Sequence, residues 1–381
     1  MIPRTLFTPE HEMFRDSVRR FVDEEIAPHY ARWESEAMVP REVWRKAGAA
    51  GMLLCEVPEE YGGPGGDFRH CTIVMEEIGR VGATGVFFGL HSDIVAPYIL
   101  KYGSEQQKKS WLTRMASGDA IGAIAMTEPS AGSDLQAIRT TARRDGDSYV
   151  ISGQKVFISN GQTADLVIVA CKTDPALGAK GTSLIVVETD RPGFRRGRKL
   201  KKLGMHSQDT SELFFDDVRV PVANLLGDEG QGFTLLMNEL AQERLTQAIR
   251  AVVASEAAMR WTLEYVQERK AFGKPIGAFQ NTQFKLAELQ AQITAQRVFV
   301  DRCVELHLER KFDSVDAAMA KMLTTELQAK VVDECLQFFG GYGYMAEFPI
   351  ARAYVDARYA RIAGGSIEVM KTIIARSMMG R

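Results

Sequence analysis

Leu166-Val167-Ile168-Val169 and Leu184-Ile185-Val186-Val187 are short, uncharged runs dominated by β-branched and aliphatic residues. Runs of this length and composition, bounded by turn residues, read as strands buried on both faces. Tyr149-Val150-Ile151, Val156-Phe157-Ile158 and Leu213-Phe214-Phe215 repeat the pattern between Gly122 and Gly232. Asp145-Gly146-Asp147 stands just ahead of the first run and is a hairpin corner. The even spacing predicts a small antiparallel barrel or sandwich, and the rest of the chain must be arranged around it.

On either side the period changes. From Thr8 to about Ile121 apolar residues recur at helical spacing (Phe14, Val18, Phe21, Val22; then Trp44, Ala47, Met52), broken by the Gly-rich loop Tyr61 to Asp67. After Gly232 helical spacing returns in Leu236, Leu240, Ile249, Val252, Val253 and Ala257, then Leu286, Leu289 and Ile293, with stops at Gly273 to Gly277 and Gly340 to Gly343. Long helices with short connections predict a bundle. The expected class is α+β: a helical segment over 1–121, a β segment over 122–232 and a helical bundle over 233–381. This order is not the βαβ alternation of a nicotinamide-binding sheet, and no G-x-G-x-x-G follows a strand.

Composition narrows the partners. Lysine and arginine number 47 against 49 acidic residues, a net charge of −2, so nothing favours nucleic acid or an acidic membrane. The basic stretch Arg195 to Lys202 reads as a solvated loop face. Five widely spaced cysteines without a C-x-x-C pair suggest neither disulfides nor zinc, and the six histidines lack metal spacing, so no metal is expected. The N-terminus shows no apolar leader and no Arg-rich transit pattern, and no run approaches transmembrane length. A cytoplasmic, prokaryotic setting is the expectation.

The chemistry is carried by a few segments. Ala125-Met126-Thr127-Glu128-Pro129-Ser130-Ala131-Gly132-Ser133-Asp134 combines hydroxyls, a turn-forming proline and a glycine that permits close backbone approach, a cradle suited to the alternating N and O edge of a heteroaromatic ring. Val156-Phe157-Ile158-Ser159-Asn160-Gly161 closes a strand with a hydroxyl and an amide. Glu268-Arg269-Lys270-Ala271-Phe272-Gly273-Lys274 ends a helix in cations, and Gln337-Phe338-Phe339-Gly340-Gly341-Tyr342-Gly343-Tyr344 ends another in glycines. Arg361-Ile362-Ala363-Gly364-Gly365-Ser366-Ile367-Glu368 joins two more. Singly, each is an ordinary turn or cap.

In this order and at these separations the segments resemble the acyl-CoA dehydrogenase family over nearly the whole chain, most closely its long-chain branch. The resemblance implies an N-terminal all-α domain, a central β-barrel, a C-terminal four-helix bundle, bound FAD and a dimer-of-dimers homotetramer. It implies that Met126, Thr127, Gly132, Ser133, Phe157, Ile158 and Ser159 surround the isoalloxazine ring, with Ser366 and Glu368 also on the cofactor. Arg269, Phe272 and Gln280 would hold the diphosphate and adenine, while Gln337, Gly340 and Gly341 would reach the same dinucleotide from a neighbouring subunit. Ser133, Arg244, Gly364 and Gly365 would contact the acyl-CoA, and electrons would pass to an electron-transfer flavoprotein.

One position departs from the family. Where most members carry a Glu before the last helix, this chain has Gly364, which has no side chain. Glu243, in Gln242-Glu243-Arg244, stands where the long-chain and isovaleryl branches carry the base. The expected reaction is therefore oxidation of a saturated acyl-CoA to a trans-2-enoyl-CoA in fatty-acid or branched-acid catabolism. Glu243 would act as base, and a backbone N–H of the Gly364-Gly365 turn would polarise the thioester. The same fold also accommodates an acyl-CoA oxidase, a nitroalkane oxidase-like enzyme or a flavin-bound DNA-protecting protein; the last would need a basic face at odds with the net charge.

Overall fold

The computed structural model describes residues 2–380. Helices α1 (Pro9–Phe21), α2 (Tyr30–Glu36), α3 (Arg41–Ala49), α4 (Phe68–Arg80), α5 (Ala96–Tyr102), α6 (Glu105–Gln107) and α7 (Thr113–Ala116) form the first layer. Next come strands β1 (Gly122–Ala125), β2 (Thr141–Asp145), β3 (Ser148–Ser159), β4 (Leu166–Lys172), β5 (Thr182–Glu188), β6 (Phe194–Lys199), β7 (Thr210–Pro221) and β8 (Leu225–Leu226). The last part holds α8 (Gly232–Glu268), the small ribbon β9 (Lys270–Ala271) and β10 (Lys274–Pro275), then α9 (Gln280–Leu308), α10 (Ser314–Phe339), α11 (Pro349–Ala360) and α12 (Ile367–Met378).

The strands make one sheet in the order β6-β7-β3-β2-β4-β5-β8, with β1 paired to β4. Both β1 and a single residue pair of β2 run parallel to β4, so the sheet is mixed rather than wholly antiparallel, and β1, β6 and β8 each pair with only one neighbour. Its central strands are buried on both faces for a period-2 reason. On β4, Leu166, Ile168 and Ala170 join the core shared with the helices. The intervening Val167, Val169 and Cys171 join the sheet's own core with Tyr149, Ile151, Leu213 and Phe215.

Two details differ from the sequence reading. The runs at Tyr149 and Val156 are one strand, β3, because Gly153 (φ 152°) and the left-handed Phe157 (φ 61°) mark register shifts against β7 instead of turns. The basic stretch expected to be a loop supplies β6, which pairs with β7 as an edge strand; its Arg and Lys side chains deter pairing with another sheet. The hairpin at Asp145 forms as expected, with Asp145 opposite Ser148 and Gly146 at φ 62°.

The helical layers are joined by charge as well as by apolar contact. The Glu76 carboxylate on α4 meets Arg4, Arg15 of α1 and Arg297 of α9. Burial opposes its ionisation, but these guanidinium groups outweigh burial and hold the carboxyl down at about 2. His11 and His70, third residues of α1 and α4, accept at Nδ1 the backbone N–H of the N-cap residues Thr8 and Asp67, which engages both imidazoles as helix caps. All five cysteines are buried and free. No helix among the described residues is long and apolar enough to cross a membrane.

Candidate active site

Helix α8 passes through the centre of the protein, and the eight consecutive residues Gln242 to Ile249 are all buried. A helix buried all round is normally apolar, yet this stretch contains Gln242, Glu243, Arg244, Thr246 and Gln247. Buried polar groups require partners, and those partners outline a site.

Tyr98 Oη, on α5, donates to Glu243 Oε1 at 2.9 Å. Gln242 Nε2 donates to the Asp93 carbonyl at 2.9 Å. Burial pushes the Glu243 carboxyl up to about 7 and the Glu239 charge adds to the rise, against the Tyr98 hydrogen bond and the Arg244 charge. A carboxyl poised there exchanges protons near neutral pH.

The turn between α11 and α12 closes over the same stretch of α8. Gly364 and Gly365 have φ of 67° and 94°, the left-handed region where glycine is unstrained. The Gly364 carbonyl accepts from Arg244 Nε at 3.4 Å, and the Gly365 carbonyl accepts from Lys321 Nζ on α10. With both carbonyls turned to cations, the N–H groups of Gly364 and Gly365 have no acceptor among the described residues. A Cβ at 364 would lie 4.0 Å from Gln247 Cγ and 3.8 Å from Lys321 Cε. Gln247 is one turn beyond Glu243 on the same face of α8, so the Glu243 carboxyl and the turn share a wall. The backbone, rather than a lack of room, is what disfavours a side chain at 364. Burial, and then Arg244, bring the Lys321 ammonium down to about 8.

The loop containing Met126 and Thr127 is held against β3. Val156 N–H donates to the Thr127 carbonyl at 3.0 Å, and Lys155 Nζ donates to the Met126 carbonyl at 3.0 Å. Lys155 is 0% exposed and pairs at 2.9 Å with Glu128, which also accepts from the Arg139 and Thr140 N–H groups at 2.6 and 2.9 Å. This brings Met126 and Thr127 beside Phe157, Ile158 and Ser159. Gly132 and Ser133 lie on the exposed rim of the loop, and Ser366 begins α12 with its hydroxyl unused as a cap, with Glu368 exposed in the first turn.

Arg269, Phe272, Gln280, Gln337, Gly340 and Gly341 gather elsewhere. The Arg269 guanidinium lies 5.7 Å from the ring of Tyr342 in its own chain, and Tyr265 stacks on Phe339 at 4.2 Å. Arg269, which the sequence reading assigned to the diphosphate and adenine, and the Gln337-to-Gly341 segment, which it assigned to the same dinucleotide from a neighbouring subunit, thus lie on one surface of the chain. That surface is open, since a Cβ at Gly340 or Gly341 would meet nothing within 4 Å and Phe272 is 96% exposed. Arg269 caps the C-terminus of α8, 26 residues beyond Glu243, a separation of roughly 40 Å at 1.5 Å per residue. Arg269 and its neighbours therefore lie far from Glu243 along the helix.

Tyr98, Lys321, Gln247 and the Glu128–Lys155 pair were not singled out in the sequence. Tyr98 and Lys321 sit in unremarkable helical patterns, and only contacts over 145 and 44 residues reveal them. Glu128 lay within the quoted loop, but its partner is 27 residues away.

A helical segment, a sheet and a helical bundle together hold a buried carboxyl, an open glycine turn and a braced hydroxyl loop. Models of the acyl-CoA dehydrogenase N-terminal, middle and C-terminal domains match residues 8–119, 123–218 and 230–379. The long-chain specific mitochondrial acyl-CoA dehydrogenase of Sus scrofa is 51% identical over 378 residues, covering 99% of this chain and 88% of that protein. The crystal structure of an acyl-CoA dehydrogenase from Geobacillus kaustophilus superposes with a TM-score of 0.97 at 50% identity, covering 99% of this chain and 100% of that one. A glutaryl-CoA dehydrogenase from Mycobacterium smegmatis, solved in complex with FADH2, superposes with a TM-score of 0.92 at 28% identity over 99% of this chain and 96% of that one.

The chain belongs to the acyl-CoA dehydrogenase family. It is an FAD-dependent oxidoreductase of fatty-acid metabolism that dehydrogenates acyl-CoA thioesters.

Proposed function

We propose that this protein oxidises the Cα–Cβ bond of a saturated acyl-CoA to a trans-2-enoyl-CoA, with Glu243 as the base. The observation that carries the reading is the Glu243 carboxyl, buried and raised to about 7 by that burial, on the wall it shares with the Gly364-Gly365 turn. The thioester carbonyl oxygen takes hydrogen bonds from the turn's free N–H groups, which makes the α-proton acidic enough to move. Glu243 accepts that proton while Tyr98 holds the carboxylate in place. Bound FAD supplies the acceptor for the two electrons and hydrogen that leave Cβ. The carbonyls of Met126 and Thr127, fixed by Lys155 and Val156, keep the flavin-facing loop rigid and its hydroxyl aimed.

The distance of the Arg269 surface from Glu243 supports an oligomer. Phe272, Phe284, Tyr342 and Tyr344 are exposed around Arg269, an apolar rim suited to a second copy. That copy's Arg269 and Gln337 to Gly341 cluster would reach the far end of a flavin whose ring lies at Thr127, in keeping with a homotetramer built as a dimer of dimers. Arg269→Ala is expected to weaken FAD retention about tenfold to a hundredfold, by loss of a charge-assisted phosphate contact. Equilibrium dialysis against free FAD checks this, and unchanged retention would remove Arg269 from the cofactor site.

An electron-transfer flavoprotein is the proposed oxidant of the reduced enzyme. A chain in the structure of the electron transferring flavoprotein of Acidaminococcus fermentans superposes with a TM-score of 0.95 at 35% identity, which supports this assignment.

The test is anaerobic mixing of the FAD-loaded protein with a panel of saturated acyl-CoAs, followed by flavin absorbance and by identification of the enoyl product. Failure of every acyl-CoA to bleach the flavin would end the reading. Peroxide formed stoichiometrically on admitting air would replace the flavoprotein partner with oxygen.

Tyr98→Phe supplies a further check. The hydroxyl stabilises the ionised carboxylate, so its loss raises the Glu243 pKa above its present value near 7. The rising limb of flavin reduction against pH is expected to move to higher pH, with the rate at high pH largely retained. A limb that stays in place would show that Tyr98 only packs.

A further inference from the structure

The Gly364-Gly365 turn is fixed by side chains rather than by its own backbone. Before it, Ala363 N–H donates to the Tyr359 carbonyl at 3.1 Å, and after it Met370 N–H donates to the Ser366 carbonyl at 3.1 Å. Between these anchors neither glycine takes part in a backbone hydrogen bond, and glycine is the residue with the most conformational freedom to lose. Two contacts among the described residues restrain the pair: Arg244 Nε on the Gly364 carbonyl at 3.4 Å, and Lys321 Nζ on the Gly365 carbonyl. The first is long for a hydrogen bond, so Lys321 is the firmer hold. A trans peptide points its N–H opposite to its C=O. Holding the Gly364 carbonyl therefore aims the Gly365 N–H, and holding the Gly365 carbonyl keeps the two peptide planes that meet at Gly365 from turning independently.

Lys321 is costly to place there. It is 0% exposed, on the face of α10 that also buries Ala317, Ala318 and Thr324. Its ammonium has the Gly365 carbonyl as its one hydrogen-bond acceptor and no carboxylate within ion-pair distance among the described residues. The charges that act on it are Arg244 from α8, which opposes protonation, and the exposed Glu368 from α12, which favours it. Burial and then Arg244 bring the ammonium down to about 8, so it is still a cation at neutral pH. A buried cation with a single neutral acceptor costs stability that an apolar side chain of the same length would not. What the lysine does in return is pin the turn.

We propose that Lys321 is a positioning residue for the thioester: it locks the Gly364-Gly365 turn so that the free N–H groups stay aimed at the carbonyl oxygen while Glu243 removes the α-proton. The inference rests on the dehydrogenase reading above and adds to that site the side chain that preorganises it.

The experiment compares FAD-loaded wild type, Lys321→Met and Lys321→Arg, using the acyl-CoA that bleaches the wild type fastest and the 3-thia analogue of that acyl-CoA. In the analogue sulfur replaces the β-carbon, so it can lose its α-proton but has no hydrogen to give the flavin, and its enolate beside the oxidised flavin absorbs at long wavelength. Titration calorimetry reads binding, rapid mixing reads the limiting rate of flavin reduction, and thermal denaturation reads the fold. In Lys321→Met the limiting rate is expected to fall about tenfold to a hundredfold, because a charged hydrogen bond behind the oxyanion donors is lost, while acyl-CoA affinity is largely kept. The long-wavelength band should weaken with the rate, and Lys321→Arg should recover part of both. The melting temperature of Lys321→Met should equal or exceed that of the wild type, since a buried cation is gone; a lysine that only supports the fold would give a lower one. If Lys321→Met is too unstable to purify, Lys321→Gln, a shorter neutral donor, is expected to show the same losses and is judged in the same way. A rate that falls only as far as binding does, or a rate and band equal to those of the wild type, overturns the proposal. If the wild type is bleached and Lys321→Met is bleached equally fast, only this inference fails. If no acyl-CoA bleaches the wild type, it is the dehydrogenase reading that fails, and this inference falls with it.

Discussion

Glu243→Gln is expected to lower the rate of flavin reduction by an acyl-CoA about 10³-fold or more while FAD and acyl-CoA still bind. The amide keeps the size of the side chain and can still accept the Tyr98 hydrogen bond, but it cannot take a proton. The loss should exceed the ordinary acid-base contribution because no second carboxylate faces the glycine turn from α8. Glu239 is occupied by Lys101 and Tyr102, and Glu368 is exposed on α12. Rapid mixing with detection of flavin bleaching measures the effect. A rate near that of the parent would eliminate Glu243 as base and direct attention to Glu368. Adding Gly364→Glu to Glu243→Thr should restore part of the rate. The space at 364 admits a side chain, and Lys321 stands ready to pair with it, although φ of 67° costs about 1 kcal/mol for a residue other than glycine.

Glu128→Ala should destabilise the sheet and its flavin-facing loop by about 3 to 5 kcal/mol, the usual result of leaving one member of a buried ion pair alone. Lys155 has no exposure to water, so its ammonium would keep only the Met126 carbonyl as partner. The Arg139 and Thr140 N–H groups would lose their acceptor as well. At present burial opposes ionisation of Glu128, yet Lys155 and these hydrogen bonds outweigh it and keep the carboxyl below its ordinary range. Thermal denaturation of the FAD-free protein should reveal a clear drop in the first transition. The double change Glu128→Leu with Lys155→Met should recover much of it, since two apolar groups of similar volume leave no orphaned charge. If Glu128→Ala melts with the parent, the pair does not brace the loop.

These two experiments probe groups that differ in how they could be found. The alternation of helix, sheet and helix was legible because period and β-branching are local properties: Leu166 to Val169 and Leu184 to Val187 declare buried strands wherever they occur. Glu243 was legible through an absence, since Gly364 lacks the acid that the family resemblance requires there. The flavin loop, the Arg269 segment and the Gly340-Gly341 turn were legible as motifs, but which of them share a surface was not, because spacing along a chain does not measure distance in space.

The order of structural layers and the strand positions at the centre of the sheet were thus determined by the amino-acid sequence alone, as local periodicity does not depend on distant partners, and the family resemblance added the candidate base. Tertiary structure decided the rest. It merged two runs into β3 through the left-handed Phe157 and turned a basic stretch into the edge strand β6 by pairing it with β7. It set Tyr98 on a carboxylate 145 residues away, joined Lys155 to Glu128, and put Arg269 roughly 40 Å from Glu243 along α8. Each of these depends on desolvation and on partners brought together by packing, and burial strengthens a charge interaction or raises a pKa only once the surrounding layers are in place.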